Sequence, residues 1–509
     1  MPQEPETGPF VTLVPSGERR SFPPGTPLTD ALFDMGVVVK TPCGGKGTCG
    51  KCGMRIDGEP GEALACRTAV TRDITVHAGR ANTVPVLDVP EFGLARRLAA
   101  AVDIGTTSVR VALADLDEKT SSEVSSFLNP QRRFGHDVIS RIAAARDPAV
   151  NTTLTGLIRR AVRGTLDSVL AAAGRTAGSL ESMVFSGNTT MLYLLLGLDV
   201  QPLGRHPYHA ATRDFASLPP TAAGLTEDSA TRTSALPVVG AFIGADLVGG
   251  LALCHARRKL NSVFFIDLGT NGEIFVADRT GRVFATSCAM GPALEGMNIS
   301  WGMTADDGAV THIRQAPGGL VCDVLGSGDP AGITGTALID LLAILLDRGL
   351  VSATGAFSRD IDAMDLPEPL EPAREDGALS LNLWGRIRLT QKDIRNVQLA
   401  KAAALAASRL LLSAAGTPPE DIRHVFIAGA LGEHMDMEHF RRLGFIPAFP
   451  NASFEYVGNT SLQAAVEACL DPCFIGHAAT LRDRVQEVLL SGQEDFQDMF
   501  IRSIDFPGA

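Results

Sequence analysis

The chain repeats one local pattern, in which a short apolar run leads into an acidic residue and a glycine-containing polar turn. Residues 263–266 are all β-branched or aromatic, which predicts a buried strand, and Asp267 follows directly. An earlier apolar run leads into Asp103 in the same way. The turn residues are Gly269, Thr270 and Asn271 in the first case and Gly105, Thr106 and Thr107 in the second. The sequence therefore predicts two similar strand–turn units.

Both turns have the composition of an anion site. Glycine lets backbone N–H groups approach a phosphate closely, and threonine hydroxyls add further donors. A carboxylate at the strand end can hold Mg²⁺ through water or orient an attacking water, and these are the roles predicted for Asp103 and Asp267. The same short sequence also closes ordinary hairpins, but two copies after apolar strands favour the phosphate interpretation.

The rest of the pattern predicts helices and a third glycine turn. Apolar residues at helical spacing predict helices over residues 28–35, 154–173 and 191–196. Residues 240–250 and 457–465 are helical in period and rich in small residues, which suits either a hinge between lobes or a static close packing. A strand at residues 425–428 leads into the third turn, whose residues include Gly429, Ala430 and Gly432.

Composition narrows the class of protein. A chain of 509 residues with 45% hydrophobic residues has room for two to four domains with sizeable cores. Its formal net charge of −12 disfavours nucleic acid as a partner. The first ten residues lack the features of a secretory signal, and apolar runs stop short of the ~20 residues that cross a bilayer. We therefore expect a cytoplasmic protein with no membrane partner.

Four of the nine cysteines are concentrated in the first 66 residues. The spacing is C-x5-C-x2-C-x13-C, and the four residues are Cys43, Cys49, Cys52 and Cys66. Three clustered thiolates and a distant fourth suit a 2Fe–2S cluster, and the glycines between them let backbone N–H groups reach the sulfurs. Structural zinc, the alternative, usually shows two C-x-x-C pairs. Cys254, Cys288, Cys322, Cys469 and Cys473 lack metal spacing, and we expect buried structural thiols there.

The cysteine segment resembles the plant-type and adrenodoxin-like 2Fe–2S ferredoxins. The first gap of five residues is that of the adrenodoxin-like proteins, whereas the gap of 13 before Cys66 is shorter than in free-standing ferredoxins. The resemblance implies a β-grasp ferredoxin domain over residues 1–80. Residues 81–98, with little periodicity, are interpreted as a linker.

The order of turns and small-residue helices after the linker is similar to that of the actin, sugar kinase and Hsp70 superfamily. The resemblance implies an α/β multidomain protein whose larger part is a two-lobed actin-like (ribonuclease H-like) ATPase. The first lobe would span residues 99–237. The hinge helix, second lobe and C-terminal helices would span residues 238–509. In that superfamily the first two turns bind ATP phosphates with Mg²⁺, and the third, here at Gly429, Ala430 and Gly432, contacts adenosine.

A ferredoxin domain fused to such an ATPase resembles the reductive activators of corrinoid proteins. The segments that carry this resemblance are residues 129–142, 186–191, 288–297, 335–342, 390–395, 400–402 and 429–433. Residues 326–336 depart from the commoner C-G-S-G form of that loop. The resemblance also suggests that residues 289–297 and 299–303 form part of a surface for the corrinoid protein, with Trp301 either exposed there or in the core.

The resemblance implies an activity and a set of partners. Members of the family use ATP to return one electron from the 2Fe–2S cluster to inactive Co(II) of a methyltransferase's corrinoid protein, which restores Co(I). An upstream electron donor and a homodimer are also implied. Three other readings remain at this stage: an electron carrier with a nucleotide-sensing domain that does not couple hydrolysis to reduction, an activator of a radical dehydratase with a bridging 4Fe–4S cluster, and a small-molecule kinase.

Overall fold

The structure is a computed structural model that describes residues 8–77, 96–219, 221–224, 231–257, 260–375, 377–429 and 435–508. It has a mixed α/β, multidomain architecture whose described residues form main sheets of five, five and six strands and three smaller sheets of two or three strands. The predicted linker at 81–98 lies outside the described residues except for its last three positions.

The N-terminal part is a five-stranded sheet covered by one helix. Its elements are β1 (Phe10–Val14), β2 (Arg19–Ser21), β3 (Thr26–Pro27), α1 (Leu28–Asp34), β4 (Gly53–Ile56), β5 (Glu62–Leu64), β6 (Ala69–Val70) and β7 (Ile74–His77). The strand order is β2-β1-β7-β4-β5, with β1 and β7 parallel and the other neighbours antiparallel. Val11, Leu32, Met54 and Val76 belong to the core between sheet and helix.

The next part, the first lobe, is built on a second five-stranded sheet. Its elements are β8 (Leu98–Ile104), β9 (Ser108–Asp115), β10 (Thr120–Leu128), α2 (Val138–Ala144), α3 (Pro148–Ala172), β11 (Leu180–Gly187), α4 (Thr189–Leu196) and β12 (Arg232–Ala235). The strand order is β10-β9-β8-β11-β12. The predicted helix at 154–173 begins earlier, at Pro148, because the Asp147 side chain accepts a hydrogen bond from the Ala149 amide and caps it.

The second lobe contains the remaining elements. They are α5 (Ala245–Arg257), β13 (Val263–Leu268), β14 (Asn271–Ala277), β15 (Val283–Ala289), β16 (Ala309–Ala316), β17 (Gly319–Val324), β18 (Gly332–Ile333), α6 (Gly335–Asp347), β19 (Glu371–Glu375), β20 (Ala378–Leu383), β21 (Ile387–Thr390), α7 (Gln391–Ala414), β22 (His424–Ala428), α8 (Met437–Leu443), β23 (Ser453–Gly458), α9 (Thr460–Leu470), α10 (Phe474–Arg482), β24 (Val485–Glu487) and α11 (Phe496–Arg502). The main sheet has the order β23-β22-β13-β14-β15-β24.

The two lobes share a topology. In each, an antiparallel run of three strands is extended by two parallel strands, so β8, β9, β10, β11 and β12 correspond to β13, β14, β15, β22 and β23. Gly187 and Gly429 occupy equivalent places at the ends of β11 and β22, with φ of 137° and 130°. A Cβ at Gly187 would lie 2.4 Å from the Ile104 carbonyl oxygen, and one at Gly429 would lie 2.5 Å from that of Leu268. Only glycine fits these two strand ends.

The two small-residue helices cross between the lobes. A Cβ on Gly249 of α5 would lie only 2.7 Å from the Ala464 Cβ of α9, and one on Gly250 would lie 2.5 Å from the Phe265 ring. The predicted close approach is therefore present. The helix predicted over 240–250 begins only at Ala245, because Gly244 lies in a turn packed against the start of α4.

One described helix, α7, is long and apolar enough to span a membrane by length and composition alone. In the folded chain 78% of its apolar window is buried inside the protein.

Candidate functional site

The two predicted phosphate turns meet. The turn between β8 and β9 and the turn between β13 and β14 approach each other across the cleft between the lobes. The Oγ1 atoms of Thr107 and Thr270 lie 2.7 Å apart. Gly105 sits where a Cβ would come within 2.5 Å of the Ser108 carbonyl oxygen, so the tight path of the first turn requires glycine. Segments that are far apart in sequence thus form one concave polar site.

Asp103 is buried at the floor of this site and is held by α9. Its carboxylate accepts hydrogen bonds from Asn459 Nδ2 at 2.8 Å and Ser461 Oγ at 2.7 Å. Ser461 Oγ is also 2.8 Å from Ser186 Oγ. Burial raises the pKa of Asp103, and the two hydrogen bonds oppose that shift. Its orientation is therefore fixed by the helix that crosses between the lobes.

Asp267 occupies the equivalent place in the second lobe, but its environment differs. Among the described residues, its carboxylate makes no hydrogen bond. Burial raises the pKa of Asp267 well above its usual value, and the nearby carboxylates of Asp246, Asp103 and Glu295 add to the shift. A carboxylate that lies near other carboxylates and accepts no hydrogen bond is suited to hold a divalent cation.

Three further acids line the same cleft and were not predicted as site residues. Asp246 is the second residue of α5, and Glu273 pairs with Asp267 across the β13–β14 hairpin. Glu295 accepts a hydrogen bond from Thr270 Oγ1 at 2.6 Å. Burial raises the pKa of Asp246 to about 7 and also raises that of Glu273. The hairpin register could have identified Glu273, whereas Asp246 and Glu295 come from separate segments that only the tertiary fold unites. Together the five acids form a cleft that favours a bound cation.

The segment 129–142 supports the first turn from behind. Asn129 Nδ2 donates to the Gly105 carbonyl oxygen at 2.8 Å. Arg141 is fully buried, and its guanidinium donates to the carbonyl oxygens of Thr106 and Gly135. Neither side chain needs to touch a ligand to hold the turn in place.

The third turn is described only in part. Gly429 lies at the end of β22 and borders the cavity between the lobes, whereas Ala430 and Gly432 lie outside the described residues. The cavity has a volume of about 1050 Å³ and is also lined by Thr107, Glu295 and Asn459. Gly269 and Asn271 form the second turn through a hydrogen bond from the Gly269 amide to the Asn271 carbonyl oxygen.

The four predicted cysteines converge at one end of the N-terminal sheet. Cys52 and Cys66 have their sulfurs 3.2 Å apart, and the thiols of Cys43 and Cys49 are hydrogen-bonded to each other. Contact with Cys49 lowers the pKa of Cys43, and burial raises that of Cys66 to about 12. The sulfurs of Cys43 and Cys49 also accept hydrogen bonds from backbone N–H groups, which belong to Thr48, Cys49 and Lys51. The glycines at positive φ that let the loop turn are Gly44, Gly45, Gly47 and Gly50.

The remaining cysteines are distributed differently from the prediction. Cys254, Cys288 and Cys469 are buried, as expected for structural thiols. Cys322 is only partly buried and Cys473 is exposed, so the prediction of burial is wrong for these two.

The suggested partner surface around residues 289–303 is in contact with the N-terminal part. Cys43 and Cys49 pack against Met303, Ala309 and Ala331 of the second lobe. Trp301 is partly buried and packs against the core of that lobe. In this conformation Gly296, Ile299, Gly302 and Met303 contact the cysteine-bearing segment of the same chain.

Comparison with known proteins agrees with this architecture. The family model of the RACo middle region matches residues 98–259, and that of the C-terminal domain of RACo, the ASKHA domain, matches residues 261–509. The solved structure of a reductive activator for corrinoid, iron-sulfur protein is 25% identical. The match covers 98% of both chains with a TM-score of 0.73.

Two curated relatives are also similar. The corrinoid activation enzyme RamQ of Eubacterium limosum is 27% identical over 525 residues, which covers 85% of this chain and 88% of the relative. The [Co(II) methylated amine-specific corrinoid protein] reductase of Methanosarcina barkeri is 26% identical over 297 residues. That second match spans about half of each protein, 53% of this chain and 51% of the relative. Since the two family models match every residue from 98 to 509 except Leu260, and the solved activator aligns over nearly the whole length, the chain belongs to the RACo family.

Proposed function

We propose that the protein is an ATP-dependent reductive activator, which passes one electron from a 2Fe–2S cluster to the Co(II) corrinoid of a methyltransferase partner and so restores Co(I). The observation that carries the proposal is that one chain joins four converging cysteines to a two-lobed nucleotide cleft. Two relatives of the chain are named for corrinoid activation and for reduction of a Co(II) corrinoid protein.

The donor set fits a cluster with two irons. The thiols form two close pairs, Cys43 with Cys49 and Cys52 with Cys66, and a 2Fe–2S cluster takes two thiolates at each iron. Backbone N–H groups directed at the sulfurs are typical of such sites and stabilise negative charge on the cluster. The five-stranded sheet with one covering helix supports a β-grasp ferredoxin domain over residues 1–80. Four thiols also suit zinc, so iron and acid-labile sulfide content decides between the two metals.

The cleft is proposed to bind ATP with Mg²⁺. Asp267, whose carboxylate accepts no hydrogen bond among the described residues, would hold the cation. Asp103 would position the attacking water or a cation-bound water. The proposed phosphate contacts come from Gly105, Thr106, Thr107, Gly269, Thr270 and Asn271. Gly429 with Ala430 and Gly432 would approach adenosine. This assignment gives the cluster of buried acids a role, since a divalent cation offsets their mutual repulsion.

ATP is needed because the electron transfer is uphill. A one-electron gap costs about 1.4 kcal/mol for every ~59 mV. Nucleotide can contribute only by favouring a conformation in which the redox states of the cluster or of the partner differ in free energy. The division into first lobe at 99–237 and hinge with second lobe at 238–509 is the proposed basis of such a closure, and α5 and α9 are its proposed hinge elements.

The remaining parts of the proposal concern location and partners. We place the protein in the cytoplasm, as a homodimer that is re-reduced by an upstream electron donor and that binds neither nucleic acid nor membrane. The net charge of −12 supports the exclusion of nucleic acid.

The test is anaerobic spectroscopy of a Co(II) corrinoid protein mixed with this protein, a chemical reductant and ATP. The Co(II) absorption band should decay when ATP is present and persist when ATP is withheld. Decay at the same rate without ATP would instead establish the uncoupled electron carrier.

A further inference from the structure

The N-terminal part is docked on the ATPase part through the loop that carries three of the four cysteines. We call residues 43–53 the cysteine loop and residues 296–307 the docking loop. Lys46 Nζ donates to the carbonyl oxygens of Gly296 at 3.0 Å and Gly302 at 2.8 Å, and to that of Ile299. Three carbonyls around one ammonium form a specific receptor rather than a loose surface contact.

Two further contacts hold the same pair of loops together. Lys51 forms a 2.6 Å ion pair with Asp307. The Thr304 amide donates to the Pro42 carbonyl oxygen at 2.9 Å. These contacts are polar, and the packing of Met303 against Cys43 and Cys49 adds an apolar one. The cysteine loop is therefore held against the second lobe by both kinds of contact.

A cation from the first lobe also approaches the cysteine loop. Arg132 lies in a 3₁₀ turn at Pro130–Phe134, and its guanidinium nitrogens are 3.7 Å and 3.6 Å from Cβ positions built on Gly44 and Gly45. The side chain is partly buried, and among the described residues it has no hydrogen bond or salt bridge. A half-buried guanidinium without a partner is costly unless an anion lies near it. The acidic groups that act on its charge are the carboxylate of Asp30 in α1 and then the sulfur groups of Cys43 and Cys66.

Charge at this position matters for a redox centre. Reduction adds one negative charge to a thiolate-bound cluster, so a nearby cation stabilises the reduced form more than the oxidised form and raises the reduction potential. Arg132 belongs to the ATPase part, so this stabilisation exists only while the two parts are docked. A cluster that moves away from Arg132 has a lower potential and is a stronger reductant.

Both phosphate turns are connected to this interface by direct contacts. Thr270 of the second turn donates to Glu295, whose next neighbour, Gly296, accepts from Lys46. In the first turn, the Gly105 carbonyl oxygen accepts from Asn129, which caps the 3₁₀ turn that bears Arg132. A nucleotide that draws Thr270 away from Glu295 therefore acts on the carbonyl receptor for Lys46, and one that displaces the first turn acts on Arg132.

We propose that this docked arrangement is a loading state, in which the carbonyl receptor for Lys46 holds the two parts together and Arg132 raises the reduction potential of the cluster, and that nucleotide in the cleft releases the N-terminal domain as a stronger reductant. The inference rests on the proposed 2Fe–2S cluster. It assigns to ATP an effect on the electron donor, in addition to any effect on the corrinoid protein. The electron still comes from the upstream donor, and one electron leaves the cluster for each cobalt reduced.

The first test is a potentiometric titration of the cluster in the full-length protein, followed by electron paramagnetic resonance. Arg132→Gln should shift the midpoint to a more negative value by at least a tenfold change in the one-electron equilibrium constant, which is ~59 mV. Arg132→Lys keeps the charge and should retain most of the wild-type value. Arg279→Gln, which removes an exposed guanidinium on the second lobe, is the charge-matched control and should leave the midpoint unchanged.

The second test uses the Lys51–Asp307 ion pair as a reporter of docking. A carbodiimide should join these side chains in the wild-type protein without nucleotide, and mass spectrometry identifies the cross-linked peptide. A non-hydrolysable ATP analogue with Mg²⁺ should reduce its yield several-fold and shift the wild-type midpoint in the same direction as Arg132→Gln. This arm needs no variant, so it decides the question even if Arg132→Gln does not fold.

The outcomes separate the two proposals. Absence of iron and acid-labile sulfide from the purified protein would contradict the proposed function itself. A protein that holds the cluster, but whose midpoint is the same in Arg132→Gln and with or without nucleotide, overturns the loading state while leaving the reductive activator in place. An undiminished cross-link with bound nucleotide overturns the release step.

Discussion

Thr107 of the first lobe and Thr270 of the second lobe are hydrogen-bonded to each other through their hydroxyl groups, at 2.7 Å. Thr270 also donates to Glu295. In the proposed nucleotide complex these hydroxyls would exchange their hydrogen bonds for bonds to phosphate oxygens. The proposed site would then couple the occupancy of the cleft to the separation of the lobes.

Removal of one of these hydroxyls should weaken nucleotide binding. Thr270→Val keeps the shape of the side chain and deletes the donor. A lost hydrogen bond to a charged group is worth ~1.5–3 kcal/mol, so the dissociation constant of ATP should rise by about tenfold or more. Isothermal titration calorimetry measures the change. Thr354→Val, in an exposed loop, serves as the control and should bind as the wild type does; equal affinity of both variants would remove Thr270 from the phosphate site.

The two strand-end aspartates should respond differently to the same substitution. Asp267→Asn removes a carboxylate that is repelled by its neighbours, so ATP hydrolysis should fall by roughly 10²-fold or more while stability without nucleotide is unchanged or higher. Asp103→Asn disturbs the hydrogen bonds with Asn459 and Ser461, and should lower both activity and stability, the latter by ~1–3 kcal/mol. Steady-state ATPase assays and chemical denaturation measure the two effects. A loss of stability in Asp267→Asn equal to that in Asp103→Asn would contradict this assignment.

Gly429 should not tolerate a side chain. An alanine there would have φ near 130° and a Cβ 2.5 Å from the Leu268 carbonyl oxygen, which should cost about 2–4 kcal/mol of the free energy of unfolding. Gly164→Ala is the matched control, because Gly164 lies within α3 with open space around it and should be stabilised by ~0.5–1 kcal/mol. Denaturant titration compares the two variants, and a neutral Gly429→Ala would show that the end of β22 is not as tight as described.

His439 should give the protein a stability that depends on pH. Its Nδ1 lies 2.8 Å from the buried Asp340 carboxylate, and this hydrogen bond raises the pKa of His439 above 6.5. Asp436, Asp347 and His312 lie around the same pair. Because the pKa is raised by folding, the stabilisation is complete below pH 6.5 and is lost as pH rises through the folded-state pKa.

His439→Gln tests this dependence. The variant should lose ~1–3 kcal/mol below pH 6.5 and approach the wild type at higher pH. Denaturation curves recorded on both sides of that pH measure the difference. The exposed His136→Gln is the control and should parallel the wild type throughout; a His439→Gln deficit that stays constant with pH would mean packing, not charge, is responsible.

The cysteines offer the most direct chemical test. Cys52→Ser should reduce iron and acid-labile sulfide to background and abolish the visible absorption of the cluster, since one of the two thiol pairs is lost. Cys473→Ser changes an exposed thiol far along the chain and should keep full content. Metal and sulfide analysis of proteins purified without oxygen gives the result. Full occupancy in Cys52→Ser would reject this ligand set.

Local pattern was enough to predict the parts of the site that a single strand and its turn define. The strands before Asp103 and Asp267 were predicted because their apolar residues are contiguous, and the structure confirms both. The cysteine spacing likewise placed the four thiols together. In each case the chemistry lies within a short stretch of sequence, and the physical reason for its shape is local.

The missed features depend on tertiary structure. Asp246 and Glu295 reach the cleft only because α5 crosses between the lobes and the segment after β15 returns to the second turn. Arg132, in the segment 129–142, lies beside Gly44 of another domain. The periodicity of apolar residues does not indicate which surfaces of separate segments or domains contact each other. The suggested partner surface at residues 289–297 and 299–303 did not include their contact with the cysteine loop for the same reason.

The packing of Cys43 and Cys49 beneath Met303 has a consequence for the life of the protein in air. Sulfur and iron are oxidised by small molecules that must first reach them, and apolar covering slows that access. Only 1% of Cys43 and 8% of Cys49 are exposed in this arrangement. While the N-terminal part stays docked, the protein therefore shields the thiols of Cys43 and Cys49 from dissolved dioxygen.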